Sequence, residues 1–478
     1  MTLREPVDIP SRDQMGHLHF IAIGGAGMSG IASFYHQIGM KVSGCDRSDS
    51  EVTARLVDSG IPVQIGHDPS HLDGVDTVVI STAIRADNSE LCEAKRRHIP
   101  ILHRSVALAA LMDSRTVAIA GSHGKTTTSA MTVAALRAGS LDPSYVIGAP
   151  LADSKESSAC ASRDLFVIEA DESDGSFLQY PAQIAVVTSV EADHLDNWES
   201  AENYMQGFVR FATADPIETV VVNIDHAGGR QLAERIASSN KSVITYGQSH
   251  DAAWRIEDIV SQRTSSTAYL VCPEGRYEMT IPMPGRYNVA NAVAAAIVAR
   301  LNQVEWEDLL EGLASFKGTS RRFQKIDEIT CDGWEESIAI FDDYAHHPTE
   351  ISAALEAARP IANGGKLIAC FQPHLFTRTR DFAEDFGKAL TAADQIVITD
   401  IYPAREDPIE GVTSHLVVQA ARRYVDDKKV IYCPKADMAQ TVAALARPGD
   451  CVMILGAGDI TYEADKVAKA IRKVCCER

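Results

Sequence analysis

The chain has 478 residues, more than one hydrophobic core can organise, so roughly two to four domains are expected. A composition of 45% hydrophobic, 23% charged and 6% aromatic residues excludes extensive disorder, and its aliphatic bias favours helices packed on parallel sheet. Acidic residues outnumber basic ones by 65 to 45, a formal charge of -20, which would repel a phosphate backbone and argues against a nucleic-acid partner.

The opening MTLREPVDIPSRD leads into no apolar run, and nowhere does the chain offer the ~18 consecutive apolar residues of a membrane span. No membrane insertion and a cytoplasmic location are therefore expected. Ten cysteines, from Cys45 to Cys476, include no C-x-x-C pair, so their spacing spells neither a zinc cluster nor a disulfide framework. Reduced thiols, mostly in the core, are expected.

From His17 to about Asp113, short apolar runs (HFIAI, KVSGCD, TVVIST, IPILH) alternate with helical stretches, the pattern of a doubly wound α/β unit. After the strand Phe20 to Ile23 comes Gly25-Ala26-Gly27-Met28-Ser29-Gly30, a G-x-G-x-x-G turn that lets backbone approach a diphosphate at a helix amino end. Asp46 closes the next strand, near the spacing at which a carboxylate accepts a ribose hydroxyl, and Ser81 and Thr82 close TVVIST. NAD and a UDP-sugar fit these residues equally, and a glycine turn that only packs strand on helix is the plain alternative.

A second unit opens with TVAIAGSHGKTTT, Thr116 to Thr128. Strand, glycine loop and helix follow in the order that cradles a triphosphate: Gly121, Ser122, His123 and Gly124 supply backbone, Lys125 counters β/γ charge, Thr126 ligates Mg²⁺, and Thr127 continues the helix. Ile119 stands where G-x-x-x-x-G-K-[ST] has its first glycine, so the loop is a shorter variant. Two acid-rich segments end later strands: Glu169, Asp171, Glu172 and Asp174 in one, Glu191, Asp193, His194 and Asp196 in the other. Parallel sheets bind ligands beyond the carboxyl ends of their strands, so both should face Lys125, and hard oxygen donors suit Mg²⁺, with Mn²⁺ as the substitute. Residues 252 to 282 read as a β-rich appendage before an alanine-dense helix from Asn288 to Arg300. Asn288 and Asn291, three apart, could present amides to an adenine edge, or Asn288 could serve as a helix cap.

After Gly318-Thr319-Ser320, βα alternation resumes as a third unit. It carries Arg322 and Asp343, then His346 and His347, then His374 and Arg378, several of them just past apolar strands. Arg378 could hold a carboxylate through two parallel bonds, and either His346 or His374 could orient or deprotonate an amine, although a surface histidine with an ordinary hydrogen bond is an equal alternative.

GGAGMSGIA, AGSHGKTTT, EADESDGSF, EADH, GRYNVANA, RRFQ, DDYAHHPTE, FQPHLFTRT and GAGD, in that order over nearly the whole chain, resemble the motifs of the Mur ligase family. The resemblance implies an α/β fold of three domains: residues 1–113, Rossmann-like, holding a UDP-sugar; residues 114–319, a central P-loop ATPase with mostly parallel sheet; residues 320–478, Rossmann-like, bringing the amino acid. It implies ATP-dependent ligation of L-alanine to UDP-N-acetylmuramate through an acyl phosphate, by a monomer or homodimer, in cell-wall precursor synthesis. Carried over by position, Lys125 meets the triphosphate, Thr126, Glu169 and His194 hold metal, Asn288, Asn291, Arg322 and Asp343 meet the nucleotide, and His346, His374 and Arg378 face alanine. Several family members carry arginine where this chain has Leu375, and the carbamylated lysine of related ligases has no counterpart between His194 and Lys241.

Three rivals make different demands. A recycling ligase would attach a tripeptide to the same sugar nucleotide, a dehydrogenase would use only the first glycine turn and leave GSHGKTTT and the acidic strand ends without a task, and a silent nucleotide-binding regulator would have no use for a near-complete catalytic set.

Overall fold

The computed structural model describes residues 3–25, 27–331, 333–362, 364–404 and 406–476; Ala26 of the first glycine turn lies outside them. Twenty-one strands form three sheets among the described residues.

The first sheet takes β1 (Leu18–Ile21), β2 (Val42–Asp46), β3 (Val63–Ile65), β4 (Thr77–Ile80) and β5 (Ile101–His103) in the order β3-β2-β1-β4-β5. Every pairing is parallel. The first strand lies two residues earlier than the sequence suggests, because Ile23 already belongs to the turn, with its N–H donating to the Cys45 carbonyl. Strand order, not direction, reverses beside β1, and because all strands run the same way the segments leaving β1, β2 and β4 share one edge.

The second sheet has ten strands: β6 (Arg115–Ala120), β7 (Pro143–Val146), β8 (Ser158–Ala159), β9 (Ser162–Glu169), β10 (Ile184–Val187), β11 (Thr219–Asn223), β12 (Ser242–Gly247), β13 (Trp254–Ser261), β14 (Ser266–Cys272) and β15 (Gly275–Ile281), ordered β15-β14-β13-β12-β11-β10-β6-β9-β7-β8. The last three confirm a β-rich appendage over residues 252 to 282. β6 sits between β9 and β10, parallel to both, with Ile119 paired to Glu169 and Ala120 to Val187. Near-continuous aliphatic runs suit strands covered on both faces, and all four residues of β10 are buried. The alanine-rich helix Arg286–Leu301 follows the appendage.

The third sheet takes β16 (Gln324–Ile329), β17 (Ile338–Asp343), β18 (Leu367–Phe371), β19 (Gln395–Ile398), β20 (Val430–Tyr432) and β21 (Cys451–Leu455) in the order β16-β17-β21-β18-β19-β20. Only β16 runs antiparallel. Helix Pro348–Ala358 starts where the sequence demands: proline opens it, and Glu350 returns its carboxylate to the His347 N–H in a capping box.

By compactness the chain divides into two units. One comprises residues 1–257, 269–279 and 290–317, and the other residues 258–268, 280–289 and 318–478. A large apolar core running from Met15 to Ala252 belongs to the first, and one from Ile329 to Ile471 to the second. No described helix is long and apolar enough to cross a membrane. Cys45, Cys370, Cys433 and Cys451 are buried free thiols, as expected, but Cys331 is disulfide-bonded, which a spacing argument confined to C-x-x-C pairs does not detect.

Candidate active site

Parallel register brings the two acid-rich segments to the glycine loop. The chain leaves β6 at Ala120, β9 at Glu169 and β10 at Val187, three neighbouring strand ends on one edge of the sheet. The loop Gly121 to Gly124 is consequently fixed by the segment after β10. The Ser122 N–H donates to the Ser189 carbonyl (3.0 Å), the His123 N–H to Ser189 Oγ (2.9 Å), and Ser122 Oγ to the Glu191 carbonyl (2.8 Å). His123 Nε2 lies 3.0 Å from Glu191 Oε2.

Gly124 caps the helix Lys125–Ala138 at a φ of 83°, in the left-handed region that favours glycine, and a Cβ there would come 2.6 Å from Asn291 Oδ1. Thr128 Oγ1 donates to that same oxygen at 3.1 Å, while the Asn291 amide nitrogen is buried without a hydrogen-bond partner. Thr126 and Thr127 are buried at the start of the helix.

Lys125 turns back onto its own loop. Its Nζ donates to the Gly121 carbonyl (2.6 Å) and lies 2.9 Å from Glu172 Oε2. Burial alone would lower the Lys125 pKa, but Glu172, Asp171 and Glu169 outweigh it and the net shift is upward. Burial raises Glu172, and Asp171 adds to that, against the pull of Lys125. Trp198 Nε1 donates to the Glu172 carbonyl at 2.9 Å, fixing the carboxylate's backbone. Glu169 accepts from the Gly148 N–H (2.7 Å), and His194 Nε2 lies 3.5 Å from Asp193 Oδ2.

Arg104, one residue past β5, was not a sequence candidate. Its Nη2 donates to Asp171 Oδ2 at 2.6 Å, and its Nη1 lies 2.9 Å from where a Cβ on Gly27 would stand. The guanidinium thus bridges the first glycine turn and the acid segment after β9. The signal available was its place directly after a strand of a doubly wound sheet, with no motif around it. In the same turn Asp46 Oδ2 accepts from the Gly24 N–H at 2.9 Å, so this carboxylate already braces the turn. Met28 opens helix Met28–Gln37 and Gly30 is buried within it, Ser29 Oγ donates to the Gly25 carbonyl, and Ser81 and Thr82 follow β4 on the same edge.

In the second unit, β21 pairs with both β17 and β18, so Asp343, Leu455 and Phe371 end side by side. The exiting segments bring the His346 and His374 rings to 5.9 Å between centroids, with His374 stacked on Tyr402 at 5.7 Å. His346 Nδ1 lies 3.2 Å from Glu350 Oε2. Asp343 accepts from the Phe323 N–H (2.7 Å) and the Ala345 N–H (2.8 Å); burial nevertheless raises it to about 6, against Arg322 and those two donors. Arg322 lies over the Tyr344 ring. Arg378 is buried in helix Phe376–Leu390, and Leu375, at a φ of 68°, is buried at that helix's cap. Asn288 Nδ2 donates to the Pro284 carbonyl at 2.8 Å, a local bond but not a cap, since a capping side chain accepts from backbone N–H groups and Asn288 lies inside helix Arg286–Leu301. Asn288 and Asn291 share one helix but fall in different compact units.

Residues 17–116 match the model of the Mur ligase family catalytic domain, 119–299 that of the Mur ligase middle domain, and 321–458 that of the Mur ligase glutamate ligase domain. The UDP-N-acetylmuramate--L-alanine ligase of Cutibacterium acnes is 51% identical over 470 residues, covering 96% of this chain and 97% of that one. The chain belongs to the Mur ligase family. The like-named ligase of Thermobifida fusca is 42% identical over 98% of this chain and 100% of its own. Among solved structures, UDP-N-acetylmuramate-alanine ligase MurC from Thermotoga maritima superposes with a TM-score of 0.79 at 25% identity, over 96% of this chain and 99% of that one. A murein peptide ligase from Psychrobacter arcticus shares the fold, with a TM-score of 0.70 at 21% identity over 95% of this chain and 98% of that one. A Mur ligase of three α/β sheets is what the ordered motifs imply, and the dehydrogenase reading falls away.

Proposed function

We propose that this Mur ligase joins L-alanine to the lactyl carboxylate of UDP-N-acetylmuramate, converting ATP to ADP and phosphate in a cytoplasmic step of peptidoglycan precursor synthesis. The observation that carries this reading is the 51% identity, across almost the full length of both chains, to a ligase named for that reaction.

Residues 1–113 would hold the UDP-sugar, 114–319 ATP, and 320–478 the amino acid. Gly121 to Thr127, Asn288, Asn291, Arg322 and Asp343 are the proposed ATP contacts. The environment of Lys125 fits a nucleotide with a divalent cation: three carboxylates dominate its electrostatics, and a buried amide nitrogen of Asn291 without a partner adjoins Gly124. Thr126, Glu169 and His194 would hold Mg²⁺, for which oxygen donors are the appropriate set, and the bound cation would neutralise phosphate charge.

A carboxylate attacking a polyanion is opposed by charge repulsion, so the residues contribute mainly position and positive charge. Lys125 exchanges Glu172 for phosphate oxygens. A lactyl carboxylate oxygen bonds to the γ-phosphorus as the bond to ADP breaks, giving an acyl phosphate. The alanine amine then attacks the acyl carbon, phosphate leaves, and the amine's proton passes to a base, for which His346 and His374 are the candidates. Arg378 would hold the alanine carboxylate.

The test is product formation from UDP-N-acetylmuramate and ATP across a panel of amino acids and the tripeptide, followed by mass. The proposal expects a product heavier by one alanine residue. Preferential tripeptide transfer would replace it with the recycling reading.

A further inference from the structure

Four residues separated by 22 to 26 positions place metal-binding atoms in one location within the first sheet. His19 stands on β1, Cys45 on β2, His67 two residues past β3, and Glu90 in helix Ser89–Arg97, whose start is capped by Asn88. His19, Cys45 and Glu90 are each 0% exposed. Cys45 Sγ lies 2.7 Å from Glu90 Oε2 and 3.2 Å from His67 Nδ1; Glu90 Oε2 lies 3.4 Å from His19 Nε2 and 4.0 Å from His67 Nδ1. His19 Nε2 is buried without a hydrogen-bond partner and faces this group of atoms.

Surrounding residues fix the orientation of these side chains. His19 Nδ1 lies 2.9 Å from Ser43 Oγ, which is itself 2.9 Å from His17 Nε2, so the other ring nitrogen points inward. The second carboxylate oxygen of Glu90 accepts from the Asp68 N–H (3.1 Å) and lies 2.7 Å from His71 Nδ1, leaving Oε2 to the interior. Supporting bonds of this kind are what hold imidazole and carboxylate ligands at metal centres.

We propose that His19 Nε2, Cys45 Sγ, Glu90 Oε2 and His67 Nδ1 form a binding site for a late transition-metal dication, Zn²⁺ above all. A tetrahedral Zn²⁺ with bonds of about 2.0–2.3 Å holds its ligand atoms roughly 3.3–3.8 Å apart; the separations from Glu90 Oε2 and Cys45 Sγ, 2.7 to 4.0 Å, bracket that range, with His19, Cys45 and Glu90 as the tight group and His67 as the fourth ligand beside it. A thiolate with two imidazoles selects against Mg²⁺ and Ca²⁺. Thiolate and carboxylate together balance the dication's charge, which a buried position requires. Binding releases the Cys45 thiol proton to solvent, so affinity falls as pH falls. The Cys45 carbonyl accepts from the Ile23 N–H, so the ion would stiffen the strand end that carries the first glycine turn.

The full-length, metal-free chain is titrated with Co²⁺ and followed by its thiolate-to-cobalt charge-transfer absorption. One equivalent is expected to produce the band and Zn²⁺ to displace it; Cys45→Ser should abolish it and Cys92→Ser should preserve it. Cobalt bound to oxygen ligands near Lys125 produces no sulfur band. Absence of the band, or its survival in Cys45→Ser, would overturn the proposal. Should Cys45→Ser fail to fold, as circular dichroism would reveal, His67→Ala is the second variant. At least a tenfold loss of Co²⁺ affinity supports the site, and unchanged affinity counts against it.

Discussion

Lys125 Nζ lies 2.9 Å from Glu172 Oε2, with side-chain exposures of only 15% and 2%. Removing one partner from a buried pair strands the other, which typically costs about 3–5 kcal/mol. Glu172→Ala should therefore destabilise the chain by several kcal/mol in chemical denaturation. Lys125→Met with Glu172→Gln should recover much of that loss, because neither charge is left alone. A loss for Glu172→Ala within about 0.5 kcal/mol, the range of an ordinary surface change, would show the pair to be solvated.

Arg104 donates to the carboxylate of Asp171 and occupies the space a side chain at Gly27 would need. Arg104→Ala is expected to raise the KM for UDP-N-acetylmuramate by tenfold or more, consistent with loss of a charged hydrogen bond worth about 1.5–3 kcal/mol, with a smaller change in the KM for ATP. Lysine should rescue poorly, since it lacks the planar fork. Equal effects on both substrates would place Arg104 in general stability instead.

The meeting of both acid-rich segments with the glycine loop is legible in the sequence, because acids at the ends of parallel strands must meet a loop at the end of a neighbouring strand, and β9 and β10 do flank β6; the segment after β9 reaches Lys125 and the segment after β10 reaches Ser122 and His123. Which acid pairs with Lys125 is not legible: Glu169, Asp171 and Glu172 are near neighbours, and they differ only in the fold, where Gly148 engages Glu169, Arg104 engages Asp171, and Trp198 ties the Glu172 backbone. Arg104 lacked a motif, and the His19, Cys45, His67 and Glu90 group lacked local spacing, since its members meet only after β1, β2 and β3 pair. Asn288 and Asn291 read as one amide pair, yet one bonds locally to Pro284 and the other reaches Thr128.

Asp343 supplies a pH dependence. Burial raises its folded-state value from 3.8 to about 6, so between those values the folded chain holds more protons than the unfolded chain, and stability falls as pH rises through that window. The decline attributable to this group is on the order of 1–3 kcal/mol. Asp343→Asn should flatten the dependence, so the variant's stability relative to wild type climbs from pH 4 to pH 6 in denaturant titrations. Parallel profiles would mean that the Phe323 and Ala345 N–H donors already keep the group ionised in the fold.

The central claim is that the Gly121 to Thr126 loop turns ATP over for alanine ligation. Its most direct test is phosphate release by wild type and Lys125→Ala in the presence of UDP-N-acetylmuramate, L-alanine, ATP and Mg²⁺, beside a titration of the same proteins with the UDP-sugar alone. Alanine-dependent release by wild type is expected to fall at least a thousandfold in Lys125→Ala, with the UDP-sugar affinity of the variant largely intact. Near-normal release from Lys125→Ala would contradict it.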